Sequence, residues 1–155
     1  MSAASKTAAL LATWFGAGLL PRAPGTWGSL AALPCGLLLT WAGGPWLLLA
    51  GALAVFLLGI WAGGRYAQDR SLDDPGAVVI DEVAGQWIAL TPALLDPWLV
   101  VLAFLAFRLF DIVKPWPIGL LDRELKGGLG IMADDVLAGV YAAAVVWVVA
   151  EVMVF

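Results

Sequence analysis

Long apolar stretches separated by short polar segments dominate the chain. No charged residue occurs from Ala23 to Gly64, and Ala42-Gly43-Gly44-Pro45 divides this stretch near its middle. Because about 20 apolar residues span a bilayer, the stretch is long enough to cross twice, with the glycine-proline segment as the turn. The pattern therefore predicts helices near Gly28–Trp41 and Pro45–Gly63.

The later part of the chain continues this pattern. Apolar segments over Val78–Leu95 and Pro97–Lys114 form a second pair, and Asp135–Phe155 supplies a last span. The segment from Ser5 to Leu20 is shorter and interrupted, which favours an interfacial helix over a cleavable signal. We expect an all-α, polytopic membrane bundle with about four to five spans plus this N-terminal helix, forming a single membrane-embedded domain over residues 1–155.

Composition supports lipid as the solvent. Hydrophobic residues make up 63% of the chain, charged residues only 13%, and the mean hydropathy is +0.95. Soluble domains carry about a quarter charged residues. The formal charge of -4 argues against a nucleic-acid partner. The expected partners are the membrane and a phospholipid, whereas the sequence leaves the oligomeric state open.

The charges divide unequally between the two sides of the predicted bundle. If successive spans alternate in direction, all 8 Lys and Arg residues fall on one side. Of the 12 Asp and Glu residues, only Asp96 and Glu151 fall on the other. Since Lys and Arg favour cytoplasmic loops, we expect one polar face, turned toward the cytoplasm.

The residue inventory excludes several kinds of catalysis. The chain has no His, which removes Ser-His-Asp and Cys-His hydrolysis and His-ligated zinc. Its one Cys, Cys35, is followed six residues later by Trp41 rather than by the Arg of a cysteine phosphatase. No GxxxxGK[ST] phosphate loop is present. The remaining chemistry rests on carboxylates, Lys, Arg, Ser, Thr and a hard metal.

A glycine-rich segment precedes the first predicted span. Gly25 permits close backbone approach, and the hydroxyls of Thr26 and Ser29, with the free N–H groups of a helix start, suit an anion such as phosphate. A Ser/Thr helix cap beside a Pro-Gly turn explains the same residues. Spacing alone leaves both interpretations open.

Two pairs of adjacent carboxylates stand where predicted spans begin. Asp81-Glu82 precedes the apolar run Val83–Leu95, and Asp134-Asp135 opens the last predicted helix. Acidic residues favour helix N-termini through the helix dipole, so capping explains part of this pattern. If the bundle brings these helix ends together, the carboxylates form an oxygen-ligand site suited to Mg²⁺.

Arg108, Asp111 and Lys114 recur every three residues just before Pro115-Trp116-Pro117. This spacing places them along one side of a helix end. An intrahelical ion-pair ladder is one interpretation. The other is functional, with Asp111 as a metal ligand or base and the two cations neutralising phosphate charge.

Taken together, these segments resemble the phosphatidylglycerophosphatase A family. The resemblance runs from about residue 14 to residue 145 and rests on five ordered motifs: Phe15-Gly-Ala-Gly18 through Pro24-Gly-Thr-Trp-Gly-Ser-Leu30, Asp81-Glu82 followed by Gly85 and Trp87, Phe107-Arg-Leu-Phe-Asp111-Ile-Val-Lys114-Pro-Trp-Pro117, Asp122-Arg123, and Gly127-Gly-Leu-Gly-Ile-Met-Ala-Asp134-Asp135-Val-Leu-Ala-Gly139.

The resemblance implies a bacterial inner-membrane, Mg²⁺-dependent lipid phosphatase that converts phosphatidylglycerophosphate to phosphatidylglycerol and inorganic phosphate. On this hypothesis Asp81, Glu82, Asp134 and Asp135 hold Mg²⁺. Asp111 activates water, or an aspartyl-phosphate forms on Asp111 or Asp81 instead. Arg108, Lys114 and the Thr26 loop neutralise the phosphate charge. The expected substrate-binding residues are Gly25, Thr26, Ser29, Asp74 and Arg123.

Two other functions compete with this one. Another membrane enzyme of phospholipid metabolism, such as a CDP-alcohol phosphotransferase, is the nearer, but its Asp-Gly to Ala-Arg spacing is absent. A small ion or solute transporter would need ionisable residues at membrane depth. Here they gather at one predicted face, which favours the enzyme.

Overall fold

The computed structural model describes residues 2–153 and contains no strand in that range. The predicted all-α class is confirmed. The helices are α1 (Ala3–Ala12), α2 (Pro24–Arg70), α3 (Ile80–Leu90), α4 (Pro97–Val113), α5 (Ile118–Glu124) and α6 (Gly127–Met153), with short 3₁₀ turns at Ala17–Leu19 and Thr91–Ala93.

Helix α2 is a helical hairpin with two arms, 24–42 and 45–70. Gly43 and Gly44 leave the helical conformation, and Gly44 has φ 68° and ψ -164°, a region that favours glycine. Leu39 and Gly51 lie against each other across the break. In a straight helix these residues would be separated by about 18 Å. The predicted turn between the first two apolar segments is therefore confirmed.

Helix α3 is shorter than the apolar segment Val78–Leu95 that predicts it. It has 11 residues and gives way to a 3₁₀ turn containing Pro92. Leu94 then adopts φ 51°, which ends the helical path before Asp96 caps α4. At 1.5 Å per residue α3 rises about 16 Å, roughly half the hydrocarbon thickness of a bilayer.

Helix α6 begins at Gly127, eight residues before the predicted start at Asp135. Its first turns contain glycines, which are unfavourable in a helix interior but allow backbones to approach closely. Gly128 supplies the reason here, because a Cβ at this position would overlap the carbonyl of Ile60 in α2. The end of the predicted span, Val154 and Phe155, lies outside the described residues.

The predicted N-terminal helix over Ser5–Leu20 is divided in two. Helix α1 ends at Ala12, and Trp14, Phe15 and Gly16 all have positive φ before the 3₁₀ turn. Ser5, on the buried side of α1, accepts a hydrogen bond of 3.3 Å from Arg65 Nη2 in α2. The segment is therefore packed against the second arm of α2.

Helix α3 forms the centre of the bundle. Nine of its 11 residues are buried, and it packs against α2, α4 and α6. Trp87 donates from Nε1 to the carbonyl of Ala32 at 2.9 Å, and Gly85 lies against Gly139 of α6. Small residues at helix crossings are typical of membrane bundles, where close packing replaces the hydrophobic effect between helices.

The outer surface of the bundle is apolar. Large hydrophobic side chains of α2, α4 and α6 are exposed along the length of these helices. Among residues 2–153, α2 and α6 are long and apolar enough to cross a membrane. Together with the composition, this surface identifies a membrane protein.

Substituting Gly139 with Ala should destabilise the bundle, because the added methyl group would overlap the backbone of Gly85. Overpacking of this kind costs about 1–3 kcal/mol. Gly63→Ala is the matched control, since its methyl group would make only ordinary contacts at 3.5 Å or more and alanine favours a helix. Thermal unfolding in detergent measures both; equal midpoints would contradict the close α3–α6 crossing.

Candidate active site

One end of the bundle encloses a cavity of about 390 Å³. The start of α2, the start of α3, the end of α4 and the first turns of α6 meet there. Eight carboxylates and three cations line the cavity: Asp73, Asp74, Asp81, Glu82, Asp111, Asp122, Asp134, Asp135, Arg108, Lys114 and Lys126. The acidic clusters therefore converge, as the hypothesis of a shared site requires.

The two carboxylate pairs reach the cavity in different ways. Asp81 and Glu82 lie in the first turn of α3, as the sequence indicates. Asp134 and Asp135 lie about two turns inside α6, so capping of that helix does not explain them. Since Gly85 permits close contact between α3 and the backbone of Asp135, the second pair comes to lie beside the first.

Asp81, Glu82 and Asp135 form a compact acidic triad. One carboxylate oxygen from each lies within 4.8 Å of the others. Asp81 Oδ1, Glu82 Oε2 and Asp135 Oδ2 are buried and have no hydrogen-bond partner among the described residues. Since unpartnered buried carboxylates are costly and hard cations prefer carboxylate oxygens, the triad fits a divalent cation such as Mg²⁺.

Asp134 is engaged differently from its neighbour. Its Oδ2 accepts a hydrogen bond of 2.5 Å from Lys114 Nζ, which also donates to Asp122 Oδ1 at 2.7 Å. Lys114 caps the end of α4 with φ 47°, and this left-handed turn carries its side chain toward α5 and α6. The ammonium group thus connects α4, α5 and α6 at the cavity wall.

Arg108 connects α4 to the triad. Its Nη1 lies 2.5 Å from Asp111 Oδ2 and 3.8 Å from Glu82 Oε1. The same nitrogen donates to Ser29 Oγ at 3.4 Å. Asp111 and Asp135 line the same cavity. The intrahelical Arg108–Asp111 ion pair is therefore present, as one interpretation of the sequence expects. It is part of the cavity rather than an isolated surface pair.

Residues at the start of α2 contact Arg108. Ala23 is the N-cap residue and no side chain caps this helix, so the Ser/Thr cap interpretation does not hold. Ser29 is fully buried outside the cavity lining, and its hydroxyl donates to the carbonyl of Gly25 at 2.9 Å. Thr26 is half-buried and also outside the lining. Gly25 lines the cavity.

Gly25 has a steric reason to be glycine. A Cβ at this position would overlap Glu82 Oε1 and lie 3.1 Å from both terminal nitrogens of Arg108. The backbone of α2 can therefore approach the Glu82–Arg108 pair only because no side chain intervenes. This is the close approach that the sequence predicts at Gly25, although its neighbours are side chains of the protein.

The two remaining predicted substrate-binding residues are Asp74 and Arg123. Asp74, in the loop before α3, lines the cavity, and partial desolvation there raises the pKa of its carboxyl above its usual range. Arg123 is exposed on α5 and donates from Nε to the carbonyl of Gly119 at 2.9 Å. It lies outside the cavity lining.

Sequence reasoning missed several cavity residues. Asp122 is the second partner of Lys114, and Asp73 and Lys126 also line the cavity. The adjacent Asp122-Arg123 motif was the available signal, but the structure turns Asp122 rather than Arg123 toward the cavity.

Gln86, one turn after Glu82 in α3, is fully buried with neither amide atom partnered among the described residues.

Comparison with known proteins identifies relatives over most of the chain. A family model described as phosphatidylglycerophosphatase A matches residues 10–150. Phosphatidylglycerophosphatase A of Escherichia coli (strain K12) is 44% identical over 142 residues, covering 89% of this chain and 80% of that protein. Its Haemophilus influenzae counterpart is also 44% identical over 142 residues, covering 90% and 86%.

A third relative has a different described activity. A protein of Bacteroides thetaiotaomicron, provisionally named phosphatidylinositol-3-phosphatase, is 41% identical over 143 residues, covering 86% of this chain and 87% of that protein. No solved structure matches the chain significantly. Because the family match covers residues 10–150 and two relatives of that name share 44% of their aligned residues with it, this chain belongs to the phosphatidylglycerophosphatase A family.

Proposed function

We propose that the protein is a membrane phosphatase that hydrolyses the terminal phosphomonoester of phosphatidylglycerophosphate, giving phosphatidylglycerol and inorganic phosphate. The observation that carries this proposal is the acidic triad facing Arg108 and Lys114 in one cavity, in a chain of this family. Carboxylates and cations held together in this way are suited to phosphoryl-group hydrolysis.

The charge of the cavity supports a need for Mg²⁺. Its lining carries a formal excess of five negative charges, which would repel a phosphomonoester. We propose that Asp81, Glu82 and Asp135 hold the ion, with Asp134 oriented nearby by Lys114. When bound, Mg²⁺ would supply positive charge and polarise the phosphate.

The chain's own residues would divide the remaining work. Arg108 and Lys114 offer N–H donors to the phosphate oxygens, and their carboxylate partners hold both cations at the cavity wall. Asp111, fixed by Arg108, would accept a proton from the water that attacks phosphorus. A covalent aspartyl-phosphate on Asp111 is the mechanistic alternative.

Other phosphorylated phospholipids form the second candidate substrate class. The Bacteroides relative, whose name specifies a phosphoinositide, favours testing it. Both classes share a lipid anchor and an exposed phosphomonoester, so the same cavity chemistry would serve either. The head group alone distinguishes them.

We propose five passes, with the cavity facing the cytoplasm of a bacterial inner membrane. The arms of α2 would form two passes, α3 with its 3₁₀ turn a short third, and α4 and α6 the last two. Exposed Trp41, Trp46 and Trp98 near the opposite end support this arrangement, since tryptophan favours membrane interfaces. The Lys and Arg distribution supports the orientation.

Removing one triad ligand should abolish most of the turnover. For Glu82→Gln or Asp135→Asn, we expect phosphate release from phosphatidylglycerophosphate to fall by a factor on the order of 100 or more, because the site loses a charged ligand. EDTA should have the same effect on the wild type, reversed by excess Mg²⁺. Asp96→Asn, which keeps an N-cap on α4 far from the cavity, is the control. Full activity in EDTA would contradict metal dependence.

Asp111→Asn should lower kcat by on the order of 100-fold, since the amide can neither take a proton nor form an acyl phosphate. Glu151→Gln, at the other end of the bundle, should keep wild-type turnover. Acid quenching with phosphorus-labelled lipid separates the two roles of Asp111. Label bound to the wild-type protein but absent from the variant indicates a covalent intermediate, and unchanged turnover would exclude both roles.

Thiol labelling in intact bacteria should report the orientation. In a Cys35→Ser background, Leu95→Cys should react with a membrane-impermeant maleimide, whereas Leu72→Cys should react only after permeabilisation. Both positions are exposed and lie at opposite ends of the bundle, so accessibility depends on membrane side rather than burial. The reverse labelling pattern would turn the cavity toward the outside.

A further inference from the structure

The lipid-facing surface of α4 runs into the cavity. Five exposed apolar side chains recur at intervals of three or four residues and so share one face of the helix: Trp98, Val101, Leu105, Leu109 and Ile112. Ile112, the last of them, is 68% exposed and also lines the cavity. The buried face of α4, with Ala103 and Phe107, packs against the bundle.

The first arm of α2 has the same arrangement. Five of its exposed positions follow helical spacing and share one face: Trp27, Leu30, Pro34, Leu38 and Trp41. Ala23, at the end of this face, is exposed and lines the cavity. Two apolar faces from different helices therefore end at one cavity, on the side where Gly25 approaches Arg108.

Another part of the cavity lining has different chemistry. Asp73, Gly76 and Lys126, in the loops before α3 and α6, and Gly127, the first residue of α6, line the cavity and are exposed. The cavity thus borders both apolar helix faces and polar loops. A phospholipid has the same division, because its phosphate is hydrated and its acyl chains stay in hydrocarbon.

We infer that the phospholipid reaches the cavity sideways from the bilayer, between the start of α2 and the end of α4. Its acyl chains lie against the two apolar faces near Trp27 and Leu109, and Ile112 contacts the chains next to the head group. Lateral access avoids exposing methylene groups to water, a cost that grows with chain length. The inference rests on the proposed lipid phosphatase function and names the acyl-chain path of that site.

The consequence is a selective effect of Ile112 on substrates with long chains. Filling the opening with Ile112→Trp should raise KM for long-chain phosphatidylglycerophosphate about tenfold. The water-soluble dihexanoyl form carries the same head group but shorter chains, and its kcat/KM should change less than about twofold. Ile112→Asn, which is smaller and polar, should also raise KM for the long-chain lipid alone.

Val148→Trp is the control, because Val148 is exposed on α6, outside both apolar faces and about four turns beyond Asp134. It should leave both substrates at wild-type values. Retained turnover of the dihexanoyl substrate by the Ile112 variants shows that they are folded. Equal changes for both substrates, or none, would overturn the lateral path. A wild-type protein that releases phosphate from neither substrate would instead refute the proposed function.

Discussion

Bringing like charges together at the end of an apolar bundle is the constraint on which the rest of this structure depends. Asp81, Glu82 and Asp135 repel one another and lose hydration, so the helices that carry them must be held together by packing elsewhere. Glycine crossings supply that packing. Gly85 and Gly139 bring α3 and α6 into backbone contact, and Gly128 brings α6 against α2. The contacts that fix the bundle also force the acidic triad to form.

Arg108 and Lys114 lie in the same cavity but do not neutralise the triad. Arg108 is bound to Asp111, and Lys114 to Asp134 and Asp122, so both cations already have carboxylate partners. Within the triad, and among residues 2–153, only Glu82 lies near a cation, 3.8 Å from Arg108. The excess negative charge is therefore concentrated where a divalent cation would relieve it. Each paired carboxylate instead orients the cation that would meet the phosphate.

The sequence predicted the helical class and the break at Gly43-Gly44, because both follow from local composition. It left the convergence of the acidic clusters conditional on how the bundle packs. It misjudged where α3 begins and ends and where α6 begins. From hydropathy alone, Gly127–Gly130 can be either a loop or the start of a helix. Here it is the start of a helix, and its glycines face another backbone. The sequence also did not predict that Asp134 pairs with Lys114 while Asp135 joins the acidic triad. This difference depends on the direction of the Lys114 side chain, which is set by the left-handed backbone of Lys114 at the end of α4. Ser29 looked like a phosphate ligand, yet it supports Arg108.

The position of the cavity follows from the solvent on each side of it. In lipid, backbone groups must be satisfied within helices, so irregular segments that carry polar side chains collect at helix ends. The loops before α3 and α6 therefore supply the hydrated side, while the exposed faces of α2 and α4 remain apolar up to the cavity, where Ala23 and Ile112 line it. A head group bound here can lie among charges while its acyl chains stay in hydrocarbon. A water-soluble phosphatase would have no physical reason to keep that second side apolar.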